Sequence, residues 1–123
     1  MKYLIMIYHT QQALDSWANM SAAQRAEGMR AHDALVEALA ESGELVVSEA
    51  LASPAQGKTV AVHEGAATVT DGPFAEVKEH LAGFYLVECD SIDQAVGHAA
   101  RIPDTAFGRV EIRPVLDRNG LEM

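Results

Sequence analysis

The stretches KYLIMIY at Lys2–Tyr8 and LAGFYLVEC at Leu81–Cys89 decide how this chain folds. Both are rich in aliphatic and aromatic residues that suit a pleated strand, and neither alternates between apolar and polar positions. A strand that is apolar at almost every position has to be covered on both of its faces. The uninterrupted apolar run Tyr3 to Tyr8 is far short of the roughly 20 residues that span a bilayer. It is also too short for a secretory h-region.

Outward from the first strand, His9 to Met20 (HTQQALDSWANM) carries no clear period and reads as a long loop with a helical turn near Trp17. Ser21-Ala-Ala-Gln24 fits a capping box and predicts a helix over 22–42, stopped at Gly43, with Met29, His32, Leu35, Val36 and Leu39 on its inward stripe. Two strands, 44–51 and 58–64, flank the breaker cluster Ser53 to Gly57. Glu64-Gly65 turns the second of them into a strand at 66–71, forming a hairpin. Asp71-Gly72-Pro73-Phe74 ends that strand. Beyond Cys89, Ser91-Ile-Asp-Gln94 repeats the capping-box pattern and opens a helix running to Pro103, with Ile92, Ala95, Val96, Ala99 and Ile102 as its buried stripe. A last strand covers 108–115. The expected layout is one domain over 1–116 and a polar, frayed tail over 117–123.

With the 58–71 hairpin set aside, the order is strand, helix, strand, strand, helix, strand. That is the ferredoxin-like split βαβ arrangement of an α+β protein, with the hairpin as an insertion. Both helices then lie on one face of the sheet. The opposite face has nothing in this chain to cover it, so the doubly apolar strands predict a homodimer formed sheet to sheet, with two-fold symmetry.

Composition narrows the function. The chain has 123 residues, 49% of them hydrophobic and 22% charged, as in an ordinary globular domain able to bury a core without a metal or disulfide staple. Nine basic against eighteen acidic residues give a formal charge of −9, which repels nucleic acid and anionic membranes. Cys89 is the lone cysteine, and the histidines at 9, 32, 63, 80 and 98 include no pair at helical ligand spacing. No metal and no cofactor is expected, no phosphate-binding glycine loop is present, and the cytoplasm is the expected compartment.

At Asp71–Glu79, DGPFAEVKE, the sequence resembles the YCII-related family, specifically its DGPF-motif branch. The likeness extends through Leu81–Tyr85, Ala100–Pro103 and Val110–Pro114, and includes a first strand ending in Tyr8 and a histidine, His32, in mid-helix. The resemblance implies a dimeric α+β barrel. Some members are associated with alternative sigma factors, and a related branch includes a dehydrochlorinase acting on a chlorinated hydroxyquinol. A helix histidine and an acidic residue are proposed as the active site of that branch. Carried over, these positions fall on His32 and Asp71.

Each candidate has a plain structural alternative. His32 reads either as a hydrogen-bonded core histidine or as a general base or acid. Asp71 reads either as a turn cap or as the carboxylate that orients His32 and stabilises its imidazolium. In the motif, glycine and proline would stiffen the loop and Phe74 anchor it, so that Glu76 and Lys78 contact a ligand; the alternative for Glu76, Lys78 and Glu79 is a solvated charge cluster. Glu111 and Arg113 share one side of the last strand, as an interface ion pair or as part of a cleft. Among the aromatic residues, Tyr8 and Trp17 are the pocket candidates, whereas Tyr3 and Tyr85 read as core. Cys89 reads as buried and inert.

Three function classes follow. The first is a cofactor-independent enzyme in which His32 and Asp71 move a proton on a small polar or aromatic metabolite, in an elimination or isomerisation. The second is a non-catalytic small-molecule-binding or regulatory dimer associated with transcription factors. The third, by fold analogy alone, is a cofactor-free oxygenase.

Overall fold

A computed structural model describes residues 1–120; the end of the expected tail, 121–123, lies outside the described residues. In chain order the elements are β1 (Lys2–Thr10), α1 (Gln11–Ala18), α2 (Ala22–Glu41), β2 (Leu45–Ala50), β3 (Lys58–His63), β4 (Ala66–Asp71), β5 (Glu79–Glu88), α3 (Ile92–Ala99) and β6 (Arg109–Pro114). Short 3₁₀ turns fill Pro54–Gln56 and Pro103–Ala106. The protein is thus α+β. Its main sheet is antiparallel in the order β2-β5-β1-β6, while β3 and β4 pair only with each other.

Register sorts the two sheet faces. Ile5 lies opposite both Tyr85 and Ile112, and Tyr3 lies opposite Val87, so these side chains share a face. Leu35 and Leu39 of α2 and Ala95 and Ala99 of α3 close over that face in a single cluster. The alternate residues, Leu4 and Met6 with their partners Leu86 and Phe84, point the other way. Of these four only Met6 is buried, and Val47 beside them is exposed. The two central strands are therefore apolar on both faces but covered on one.

Local chemistry sets the helix ends. Ser21 and Gln24 form the reciprocal capping box that starts α2. Gly43 takes φ 79°, and the Glu44 N–H reaches the Leu39 carbonyl at 3.0 Å, which completes a Schellman stop. At α3 the expected box is half formed. Ser91 accepts from the Gln94 N–H, but the Gln94 side chain accepts from Asp90.

Four expectations are corrected. The segment 9–20 is no loop: β1 continues through Thr10, whose hydroxyl caps the two-turn helix α1 at Ala13. Its signal is weak because eight residues span barely two turns, and Trp17 packs not on the sheet but over Gly28 of α2, where an added Cβ would lie 3.2 Å from the indole. Met29 is exposed, because the sheet lies beneath only the second half of α2. Of the expected α3 stripe, Ile92 and Val96 are exposed, while Ala95, Ala99 and, just past the helix end, Ile102 are buried, since small side chains let the helix sit close to the strands. The helix itself ends at Ala99, and Pro103 opens a separate turn.

Candidate functional site

The 3₁₀ turn after α3 is where the chemistry collects. Pro103 presets the turn's first residue, and the Asp104 carbonyl accepts from Phe107 at 3.2 Å and from Gly108 at 2.7 Å. With its backbone so engaged, Asp104 turns its carboxylate into the protein, where the residue is only 6% exposed. Its Oδ1 lies 2.6 Å from His32 Nε2, and its Oδ2 lies 2.5 Å from His9 Nε2. The other nitrogen of His32, Nδ1, lies 2.6 Å from the Tyr85 hydroxyl. Four distant segments, β1, α2, β5 and the 3₁₀ turn, thus converge on one chain of hydrogen bonds.

One tautomer satisfies the chain. If each imidazole donates its Nε2–H to Asp104, Nδ1 of His32 is bare and accepts the proton of the Tyr85 hydroxyl. The rings of His32 and Tyr85 are close to parallel, at 13°, with centroids 6.2 Å apart. Burial by itself would raise the Asp104 pKa, but hydrogen bonds from His32 and His9, and their charge, outweigh it and hold the carboxyl well below the usual range. Desolvation, aided by the charges of Asp104 and Asp33, pushes the Tyr85 hydroxyl up to about 12. Tyr85 is therefore a proton donor at neutral pH. Nδ1 of His9 is buried without a partner, and the His9 ring stands 5.4 Å from that of Phe107. Gly108 makes room for His9: a Cβ there would lie 2.7 Å from the Tyr8 carbonyl and 3.1 Å from the His9 ring. The side chain of His32 is the most open of the two histidines and Asp104, at 22% exposure.

The expected contact between His32 and Asp71 is not present in the protomer. Both ring nitrogens of His32 are occupied, and Asp71 sits at the end of β4 in an exposed ion pair with Lys58 at 2.6 Å. The reason is topological: β4 belongs to the separate hairpin, not to the sheet beneath α2. Phe74 is half exposed and is not part of the core cluster. Glu76 and Lys78 are exposed in that loop, on either side of Val77. Val77 lines an open cleft of about 500 Å³ together with Leu51, Pro54, His80 and Leu81.

Tyr8 lies on the uncovered sheet face with the Arg109 guanidinium 4.3 Å above its ring, and Arg109 is held by Glu79 at 3.0 Å. Glu111 lies 3.7 Å from the same arginine, whereas Arg113 has no ion-pair partner among the described residues. Cys89 is buried, its thiol pushed up by that burial. Sequence reasoning missed His9, Tyr85 and Asp104 as site residues. The available signal was an aspartate directly after Ile102-Pro103 at a helix end, a place where a carboxylate is ordinarily solvated.

A YCII-related domain matches residues 1–119. The chain belongs to the YCII-related family. It is also 32% identical, over 117 residues, to an uncharacterized protein of Rhizobium meliloti (strain 1021), a match covering 94% of this chain and 92% of that one. The family match and the relative both run through all four segments that build the Asp104 network.

Proposed function

We propose that this YCII-related protein is a cofactor-independent enzyme that moves a proton on a small polar or aromatic metabolite, in an elimination or isomerisation. The observation that carries the reading is the chain Tyr85–His32–Asp104–His9, in which a buried carboxylate orients a histidine whose second nitrogen faces a hydroxyl. His32 is the base. Its Nδ1 lone pair accepts the proton, and Asp104 stabilises the imidazolium that results, the role first assigned to Asp71. Tyr85, protonated at neutral pH, is the donor that the substrate displaces or works through. Tyr8, Glu76 and Lys78 are kept in this reading as ligand contacts at a second place, the uncovered sheet face and the loop 72–78, apart from His32 of the same protomer. Beside them lie the Arg109 guanidinium over the Tyr8 ring and, at Val77, the open cleft that Glu79 and His80 also line.

The same reading assigns the chain to the DGPF-motif branch, on the residues Asp71–Glu79, as one cytoplasmic domain. The strand order β2-β5-β1-β6 supports a ferredoxin-like sheet, and the uncovered face with Leu4, Phe84 and Leu86 supports a sheet-to-sheet homodimer forming a dimeric α+β barrel. A second reading, a non-catalytic binding or regulatory dimer, is favoured by the burial of His9, Tyr85 and Asp104, which suits a purely structural tie. Deuterium wash-in decides between them. Small keto acids, lactones and phenols are incubated with the protein in D₂O and followed by proton NMR. Exchange at carbon that disappears in His32→Ala supports the enzyme; no exchange with any of them, or exchange unchanged in His32→Ala, overturns the assignment of His32 as base.

A further inference from the structure

The hairpin β3–β4 stands apart from the sheet, yet it is built to touch something. Val60, Val62 and Val69 are 62%, 68% and 56% exposed, and register places Val60 opposite Val69 and Val62 opposite Ala67, so all lie on one face. An isolated two-stranded hairpin is at best marginally stable in water. Its base is nevertheless pinned. The Gly72 N–H donates to the Gly57 carbonyl at 2.8 Å, the Thr59 hydroxyl donates to the Gly72 carbonyl at 2.7 Å, and Lys58 pairs with Asp71. The arm is therefore held out in a set direction with an apolar face bare, and the loop after it adds exposed Phe74 and Val77.

Surface area says what covers it. The chain exposes 8101 Å², whereas a compact monomer of 13.2 kDa exposes about 6,400 Å². The surplus of about 1,700 Å² is twice the roughly 800 Å² per partner of a standard interface and falls within the range of permanent homodimers. The half-buried sheet face with Leu4, Phe84 and Leu86 and the exposed valines of the arm both contribute to that surplus. A second copy offers an uncovered apolar sheet face of matching chemistry.

We propose that the β3–β4 arm and the loop 72–78 clasp a second copy of this chain, the valine face packing on the partner subunit and enlarging the dimer interface beyond the two sheets. This rests on the sheet-to-sheet dimer and extends it to the segment that carries the DGPF motif.

Sedimentation velocity over a dilution series tests it, with wild type against the double variant Val60→Asp, Val62→Asp. Both positions are exposed in the protomer, so the far-UV circular dichroism of the variant should match wild type. Amide hydrogen exchange of residues 58–71 in the wild-type protein gives a second readout that needs no variant. The expected result is a wild-type dimer at micromolar concentration, a dimer constant weakened at least about 100-fold in the variant, and arm amides protected only at concentrations where the dimer forms. A variant dimer as tight as wild type, or arm amides that exchange equally fast in dimer and monomer, overturns the clasp and leaves the sheet-to-sheet dimer standing. A wild-type monomer at 100 micromolar, roughly the top of the accessible range, overturns both.

Discussion

Asp104 holds His32 at 2.6 Å across 72 positions of sequence, and the same carboxylate takes His9 on its other oxygen. A buried carboxylate that accepts from two imidazoles is compensated by those hydrogen bonds. Its energetic and chemical consequences can be separated by substitutions that change one donor or acceptor at a time.

Asp104→Asn keeps the shape but leaves one imidazole without an acceptor. Hydrogen bonds to charged groups contribute about 1.5–3 kcal/mol each, so urea denaturation at pH 7 should show a loss of about 2–3 kcal/mol. The pH dependence follows from the depressed pKa of Asp104. The folded value lies below the unfolded one, so the stabilisation is fully present above the unfolded carboxylate value of about 3.9 and is lost as pH falls toward the folded value. The gap between wild type and Asp104→Asn should therefore close on acidification below about pH 4.

Asp104 and Asp71 make opposite forecasts for His32. Long-range nitrogen–proton NMR reports which ring nitrogen bears the proton. Asp104→Asn should shift the His32 ring signals and mix its tautomers, because the acceptor that fixes Nε2–H is weakened. Asp71→Asn should leave them in place, since its carboxylate is engaged by Lys58. The reverse pattern would return Asp71 to the site.

Tyr85 should ionise well above the usual tyrosine range. Its pKa is pushed up to about 12, above the unfolded value of about 10, so its contribution is intact below pH 10 and is lost as pH rises through 12. An ultraviolet titration should show a late step that Tyr85→Phe removes, and the variant should lose less stability over that alkaline interval. At pH 7 the cost of Tyr85→Phe is about 1 kcal/mol, one hydrogen bond to a buried acceptor.

Two glycines should respond with opposite signs. In Gly108→Ala the new Cβ meets the Tyr8 carbonyl, a backbone atom that cannot step aside, at 2.7 Å, so the last strand must shift and His9 with it. A loss of about 1–3 kcal/mol is expected in thermal unfolding. Gly97→Ala, inside α3 with open space around it, should gain about 0.5–1 kcal/mol.

What was legible in the chain follows from local physics. The stretches Lys2–Tyr8 and Leu81–Cys89, apolar at almost every position, read as central strands, and they pair as β1 and β5. Ser21, Gln24 and Gly43 bound α2 because caps act within a few residues of the groups they satisfy. Helix α1 was not legible, since its partner Gly28 lies on another helix. His32 could be singled out by its place on α2.

Its partner could not be. A buried hydrogen bond depends on which groups the topology brings within 3 Å, and no periodicity encodes a meeting between β1, α2, β5 and a turn near residue 104. Asp71 sits in the more conspicuous motif, but its hairpin stands off the sheet. Local sequence determined the strands, the caps and the family motif, because each is written in neighbouring residues. Only the tertiary structure decided that Asp104, Tyr85 and His9 surround His32, because desolvation and hydrogen bonding act between atoms that the fold makes adjacent.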